Sequence, residues 1–101
     1  MALTVRLDRQ AKRDLADIRS YLLEHAGTAA AERVRVHIRQ RFKHLSETPL
    51  IGVATSEPGI RILPPTRYPY RIYYTVTDVA VVILHIRHSA RHDPDLGDLG
   101  R

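Results

Sequence analysis

The carboxyl-terminal third of the chain concentrates side chains that could act on RNA. Residues 60–92 contain five Arg, three His and four Tyr against a single acidic residue, Asp78. Arg neutralises phosphate, Tyr and His stack on unpaired bases, and His moves a proton near neutral pH. Metal-independent cleavage by a 2′-hydroxyl needs a base, an acid and a cation, which His and Arg could supply. The candidates are Arg61, Arg67, Tyr68, Tyr70, Arg71, Tyr73, His85, Arg87, His88, Arg91 and His92.

The same cluster also has a purely structural interpretation. Tyr70 and Tyr74 would then lie in the core, and the Arg stems would pack over a solvated sheet face. Composition alone favours this second interpretation, because polar side chains are mostly exposed to solvent.

The spacing of His85, His88 and His92 resembles a set of metal ligands. Residues three apart on a strand point to opposite faces, so His85 and His88 cannot converge on one ion. The chain has no Cys. Ser89 lacks the glycines of a nucleophile elbow, and no Gly-rich phosphate loop occurs. We therefore expect neither a metal site nor a cofactor.

A second basic group lies in a stretch with helical periodicity. It comprises Arg33, Arg35, Arg39, Arg41 and Lys43, with Glu32 and Glu47 as the nearby acids. A solvated helix face is the ordinary explanation of such a run. Five like charges with few compensating acids nevertheless favour a polyanionic partner, either nucleic acid or an acidic protein segment.

Composition limits the class of protein. The chain has 101 residues, which corresponds to one domain, and a net charge of +5. Fourteen of its 16 basic residues are Arg, a side chain that binds phosphate and carboxylate bidentately. An Arg-rich composition inherited from a GC-rich genome would explain this ratio equally well. The longest apolar run, residues 79–84, is far shorter than a membrane span, and no signal peptide is evident. We expect a cytoplasmic domain without membrane association.

Two amphipathic helices must position these side chains. Residues 3–7 alternate as a strand does, and Asp8 can cap the helix that follows. The first helix has an apolar stripe that ends near Ala26, and Gly27 fits the left-handed position after it. The second stripe begins after Thr28 and stops at Pro49. Helices joined this tightly form an antiparallel hairpin. The stripes are Leu7, Ala11, Leu15, Ile18 and Leu22, then Ala31, Val34, Ile38, Phe42 and Leu45.

Three further strands follow a loop. Residues 49–59 contain two Pro and two Gly without periodicity and are predicted to be the loop. Strands are predicted over 60–63, 70–76 and 81–88. A three-residue turn at 77–79 would pair Tyr74 with Val82, Ile72 with Leu84 and Arg71 with His85.

The order β-α-α-β-β-β predicts an α+β fold of two layers. An antiparallel sheet would be covered on one face by the helical hairpin, and the other face would present Arg71, Tyr73, His85 and Arg87 to solvent. We expect a single domain over residues 1–92 and an acidic, flexible tail over 93–101.

Several segments resemble the RelE/ParE superfamily of toxins from type II toxin–antitoxin modules. They are LDRQAKRDLADI over residues 7–18, PLIG over 49–52, IRIL over 60–63, YRIYY over 70–74 and VILHIRHSAR over 82–91. The resemblance extends from about residue 3 to residue 94. It implies the RelE/ParE-like fold and a toxin neutralised by a ParD- or RelB-like antitoxin encoded nearby. It also implies growth inhibition, plasmid stabilisation and contact with operator DNA only through the antitoxin.

The two branches of the superfamily imply different targets. RelE-like members are ribosome-dependent mRNA endonucleases, whose sites use Lys and Arg with a carboxyl-terminal Tyr or a Glu. This chain has no Lys after Lys43, no Tyr after Tyr74, and Glu57 lies in the predicted loop. The opening pattern and the HSARHD ending are more similar to ParE-like members, which inhibit DNA gyrase. We therefore expect a ParE-like gyrase inhibitor.

The resemblance assigns roles to residues. For gyrase inhibition, Arg87, His88, Arg91 and His92 would contact the target, and the basic residues of the second helix would contact the antitoxin. An mRNA endonuclease would instead use Arg61, Arg71, His88, Arg91 and His92. A third possibility is a non-catalytic nucleic-acid or protein-binding module on the same fold.

Overall fold

Two residues set the limits of the helical hairpin: Asp8 precedes its first helix, and Gly27 lies between its two helices. The structure, a computed structural model, describes residues 2–90. Strand β1 (Thr4–Leu7) passes into helix α1 (Arg9–His25) at Asp8, whose carboxylate accepts the Arg9 N–H at 2.9 Å. Gly27, with φ of 90°, then connects α1 to helix α2 (Thr28–Glu47), a backbone conformation that glycine adopts without strain. The hairpin predicted from the two stripes is confirmed.

A five-stranded sheet lies against this hairpin. Its other strands are β2 (Val53–Ala54), β3 (Arg61–Leu63), β4 (Tyr70–Val76) and β5 (Ala80–His88). The strand order is β1-β5-β4-β3-β2. The α+β fold of two layers is confirmed. The acidic tail predicted over residues 93–101 lies outside the described residues.

The sheet is mixed, so the prediction of a wholly antiparallel sheet was wrong for one strand. β1 runs parallel to β5, from Thr4↔Ala80 to Leu7↔Ile83, while the other neighbours are antiparallel. The physical reason is the path of the chain: after the two-helix connection, β2 runs antiparallel to β1, and the three reversals that follow make β5 parallel to β1. β5 thereby becomes an inner strand with a partner on each side.

The register of β4 against β5 also differs from the prediction. Tyr74 pairs with Ile83 and Tyr73 pairs with His85, which leaves Leu84 as an extra residue in a bulge. Arg71 therefore lies opposite Arg87, whereas the uniform register placed it opposite His85. The unbroken apolar run in β5 concealed this irregularity, because either phase of the strand buries apolar side chains.

The segment predicted to be a loop over residues 49–59 contains the short edge strand β2. It pairs with β3 through Val53↔Ile62 and Ala54↔Arg61. Tyr74 holds the backbone that leads into β2, because its hydroxyl accepts the Gly52 N–H at 2.9 Å and donates to the Pro49 carbonyl at 2.8 Å. A buried side chain of β4 therefore ties the loop to the sheet.

The main core lies between the helices and one face of the sheet. It contains Ala11, Val34, Ile38, Phe42, Leu45, Leu63, Tyr70, Ile72, Tyr74, Val81, Ile83 and Ile86. A smaller buried group, Ile60, Val82 and Leu84, lies on the opposite sheet face. Within residues 2–90, no helix has the length and apolar character that crossing a membrane requires.

Candidate functional site

The face of the sheet that points away from the helices carries a basic cluster. Side-chain alternation along β4 and β5 brings together Arg71, Tyr73, His85 and Arg87, which we call the open-face cluster. Arg71 lies directly opposite Arg87, and Tyr73 lies opposite His85. The ring centroids of Tyr73 and His85 are 6.1 Å apart. These four residues are the ones that the sequence placed on this face, but the expectation that all four are presented to solvent was wrong for two of them, because Tyr73 and His85 are buried.

His85 is bound on its buried side by a residue that the sequence analysis did not single out. Its Nδ1 is hydrogen-bonded to a carboxylate oxygen of Asp14 in α1, and both residues are buried. The same carboxylate accepts the Ile86 N–H at 2.9 Å and the Gln10 side-chain amide at 2.9 Å. A signal was present in the sequence, because Asp14 falls on the apolar stripe between Ala11 and Ile18. An acid at such a position needs a buried partner.

The hydrogen bonds decide the charge state of Asp14. Burial alone would raise the pKa of Asp14, but the hydrogen bonds from His85, the Ile86 N–H and Gln10 outweigh it. The pKa of Asp14 therefore lies below its ordinary value, and the carboxylate is ionised at neutral pH.

Arg87 engages the other ring nitrogen of His85. The distance from Arg87 Nη1 to His85 Nε2 is 3.0 Å. Since Arg only donates, we assign the imidazole proton to Nδ1, where it is donated to Asp14. Asp14, His85 and Arg87 thus form a continuous hydrogen-bonded chain from the core to the open face. In this arrangement both nitrogens of His85 are occupied.

The residues expected for an RNA-cleaving site are divided by the sheet. Arg61 pairs with Tyr74 and donates to the Gly52 carbonyl at 2.8 Å, so it lies on the helix side. His88 pairs with Tyr70, and its Nδ1 accepts the Ala90 N–H at 3.1 Å.

Of the residues expected in an RNA-cleaving site, Arg71 belongs to the open-face cluster, whereas Arg61 and His88 do not. Arg91 and His92 lie outside the described residues. Within residues 2–90, no three His, Asp or Glu side chains are close enough together to hold a metal ion.

The basic residues of α2 do not form one surface. Arg35 and Arg39 line a groove of about 610 Å³ between α1 and α2, which we call the hairpin groove. Arg33 and Arg41 lie on the opposite side of α2, towards residues 64–68. Lys43 is exposed and lines neither the hairpin groove nor the opposite side of α2. The groove floor includes Leu15, Ile18, Leu22, Val34, Ile38 and Phe42.

One pair of α2 charges is already neutralised at the rim of the hairpin groove. Arg35 donates two hydrogen bonds to the carboxylate of Glu32, at 2.9 and 2.6 Å. Such a contact between exposed side chains stabilises the helix only slightly. The other two cations at the rim are Arg19 and Arg39, whose charges also act on the Glu32 carboxylate.

Known proteins share both the sequence pattern and this architecture. Residues 5–93 match the family described as the ParE toxin of the type II toxin–antitoxin system parDE. No curated protein sequence matches the chain significantly.

Among solved structures, the chain is similar to a chromosomal ParDE toxin–antitoxin protein from P. aeruginosa. The TM-score is 0.76 and the identity 24%, over 86% of this chain and 96% of that one. It is also similar to the RelBE2 toxin–antitoxin complex from Mycobacterium tuberculosis, with a TM-score of 0.62 and 27% identity, over 87% and 99% of the chains. The isolated E. coli RelE toxin has a TM-score of 0.62 at 18% identity, over 91% and 89%. Because the ParE model covers nearly the whole of the mixed-sheet fold described above, the chain belongs to the ParE toxin family of type II toxin–antitoxin systems, within the RelE/ParE superfamily.

Proposed function

We propose that this toxin inhibits DNA gyrase by binding it and that a cognate antitoxin blocks this action. The observation that carries the proposal is the family match over residues 5–93, which is to ParE. ParE-like members inhibit gyrase, as the sequence resemblance implied. Inhibition by binding requires an exposed, well-positioned surface and no proton transfer by the toxin.

The target-binding surface is proposed at the end of β5. Arg87 supports this location, because it is partly exposed near the end of the strand and its Nη1 is held by His85. His88 is exposed at the last position of the strand. Arg91 and His92, which follow Ser89 and Ala90 in the sequence and lie outside the described residues, are the other two residues proposed to contact the target. A guanidinium in this setting can bind a carboxylate or phosphate of the target.

The antitoxin is proposed to place an amphipathic helix in the hairpin groove. The groove is apolar at its floor and carries Arg19, Arg35 and Arg39 at its rim. A helix with an apolar stripe flanked by Asp and Glu would bury the stripe and pair with these cations. The RelBE2 neighbour is itself a toxin–antitoxin complex, which supports a partner of this kind. Arg33, Arg41 and Lys43, which the sequence analysis also assigned to the antitoxin, lie outside this groove, and no contact with the antitoxin helix is proposed for them.

Charge reversal at the groove rim tests the antitoxin surface. Arg39→Glu should weaken binding of the product of the neighbouring gene by at least about tenfold. Arg13→Glu, an equally exposed change on α1, should leave it within about twofold. Equal effects of the two variants would exclude the groove as the docking site.

An mRNA endonuclease is the second candidate, because Arg71 and Arg87 lie opposite each other beside His85 on the open face. The two functions are separated by inducing the gene in cells lacking the antitoxin. Gyrase-dependent DNA breaks, together with loss of supercoiling by purified gyrase, would support the proposal. Ribosome-dependent mRNA cuts without DNA breaks would overturn it in favour of the endonuclease. If neither occurs, a non-catalytic binding module is indicated.

A further inference from the structure

A cleft lies on the side of α2 that faces away from the hairpin groove. It consists of two adjoining pockets, of about 300 and 410 Å³, that share His37 and Gln40. Helix α2 forms one wall, and the segment 64–68 between β3 and β4 forms the other. We call it the α2–loop cleft. No role proposed so far for the toxin uses it as a site.

The cleft is strongly cationic. Arg33, Arg41 and Arg67 line it, together with His37 and His44. The carboxylate in its lining is that of Glu32, which already accepts hydrogen bonds from the Nε and Nη2 of Arg35. The three guanidinium groups therefore face a concavity with little local compensation.

The pKa of His37 reports this positive potential. Burial lowers the pKa of His37, and the charges of Arg41 and Arg67 lower it further. Arg41 is itself positioned, since its Nη2 donates to the Pro64 carbonyl at 2.6 Å. An anion bound between these groups would reverse the effect on the His37 pKa.

An aromatic platform lies beside the cations. The rings of His37 and Tyr68 meet edge-on, with centroids 4.9 Å apart, and Arg67 Cζ lies 5.6 Å from the centroid of the Tyr68 ring. Tyr68 is half-buried and packs against the main core, which holds its ring in place. A rigid ring next to phosphate-binding groups is the arrangement on which unpaired bases stack.

We propose that the α2–loop cleft binds single-stranded nucleic acid, with Arg33, Arg41 and Arg67 on successive phosphates and one base stacked on Tyr68. The cations alone would serve an acidic peptide equally well. The stacked platform favours a nucleic acid, because a base adds a planar face that Asp and Glu lack. The cleft and the hairpin groove lie on opposite sides of α2, so a strand could bind while an antitoxin helix occupies the groove. The inference goes beyond the proposed function and does not depend on it.

Fluorescence anisotropy with the full chain tests the proposal. The probes are a labelled ten-nucleotide oligouridine and its deoxy counterpart, which distinguish RNA from DNA as the source of the strand. Three phosphate contacts predict a slope of log affinity against log salt of about −2. Affinity should then fall about 20-fold between 50 and 200 mM salt.

Two variants separate the phosphate contacts from stacking. Arg67→Gln should weaken binding and make the salt slope less steep by about 0.7. Tyr68→Leu, which keeps an apolar side chain against the core, should weaken binding about 5- to 150-fold with the slope unchanged. Arg13→Gln, an exposed position on α1, is the matched control and should bind as the parent does.

A second measurement does not depend on the variants remaining folded. In the parent chain, NMR titration of His37 should show that saturating oligonucleotide raises its pKa. Four results would overturn the proposal: no binding at 50 mM salt, an unchanged His37 pKa at saturation, equal losses for Arg67→Gln and Arg13→Gln, or an oligoglutamate peptide that binds as tightly as the oligonucleotide.

Discussion

The carboxylate of Asp14 accepts the backbone N–H of Ile86 at 2.9 Å, which joins the first helix to the last strand. The contact lies where β1 ends, since the parallel pairing stops at Leu7↔Ile83 and Asp8 donates its N–H to the Ile83 carbonyl at 2.9 Å. Beyond the end of β1, the Asp14 carboxylate accepts the Ile86 N–H, a role that a backbone carbonyl of a neighbouring strand would otherwise have. The same carboxylate orients His85 and, through it, Arg87 on the open face.

We predict that Asp14→Ala destabilises the fold by about 3 kcal/mol, because it leaves the buried Ile86 N–H and His85 Nδ1–H without an acceptor. Urea unfolding followed by circular dichroism measures the change. Asp17→Ala, on the exposed side of the same helix, is the control and should change the free energy of unfolding by less than about 0.5 kcal/mol. A loss below about 1 kcal/mol for Asp14→Ala would contradict the buried network.

Asp14 should also make stability fall in acid. Its folded-state pKa is lowered from the ordinary value of 3.8, so folding favours the ionised form. The resulting stabilisation is fully present above pH 3.8 and is lost as the pH falls through the lower folded-state pKa. Unfolding free energies measured between pH 7 and pH 2 should therefore decline less in Asp14→Asn than in the parent. Parallel curves for the two proteins would refute this assignment.

Gly52 should not accept a side chain. A Cβ at this position would lie 2.5 Å from the Tyr74 hydroxyl oxygen and 2.8 Å from the Ile62 carbonyl oxygen. Tyr74 is fully buried and cannot move aside without disturbing the core. We expect Gly52→Ala to cost about 1–3 kcal/mol in chemical denaturation.

Removing the Tyr74 hydroxyl should weaken the same contact from the other side. Tyr74→Phe leaves the Gly52 N–H and the Pro49 carbonyl without their partner, at a cost of about 1–3 kcal/mol. Tyr21→Phe is the control, because Tyr21 is exposed and its hydroxyl loss should be nearly neutral. Equal unfolding midpoints for the two variants would show that the hydroxyl does not hold the loop.

The two helical stripes should respond unequally to truncation. Ile38 is 3% exposed in the core, and Ile38→Ala should cost about 2–5 kcal/mol. Leu15 is half-buried and lines the hairpin groove, so Leu15→Ala should cost less in the isolated toxin. If the antitoxin helix lies in this groove, Leu15→Ala should instead weaken the complex. A Leu15 variant that is the more destabilised of the two would contradict this packing.

The functional end of β5 can be tested by growth assays on folded variants. If gyrase is bound without proton transfer, His88→Gln with His92→Gln should retain most of the toxicity. Arg87→Ala with Arg91→Ala should lose it, because the guanidinium groups that contact the target are removed. A nuclease predicts the opposite weighting, since loss of a general acid or base costs about 10²–10⁴-fold in rate. An inactive His→Gln pair would therefore exclude action by binding alone.

The helical layer could be predicted from the sequence because its signals are local. Asp8 and Gly27 mark the helix ends, and each stripe repeats over four turns or more. The phase of β5 could not be predicted, because Val81–Leu84 are all apolar and either face could be the buried one. The direction of β1 depends on pairing with residues 76 positions away, which no local pattern encodes.

The residues of the candidate site could be predicted from the sequence, but the hydrogen bonds that join them to the core could not. Alternation along β4 and β5 correctly grouped Arg71, Tyr73, His85 and Arg87. The contact between His85 and Asp14 joins two residues that are 71 positions apart in the chain. An acid within an apolar stripe indicates that a partner exists, but the sequence does not say which His or Arg it is.

The position of β5 inside the sheet has a consequence for when the toxin can become active. β1 is made first but pairs with residues 80–83, so it has no strand partner until β5 has been synthesised. The helices likewise lack part of the surface that they cover, since Val81, Ile83 and Ile86 belong to their core. Native contacts of such long sequence separation form late and slow folding. We therefore expect that a nascent chain interrupted before β5 does not reach the native fold, and the interval before folding would give an antitoxin time to engage the emerging helices.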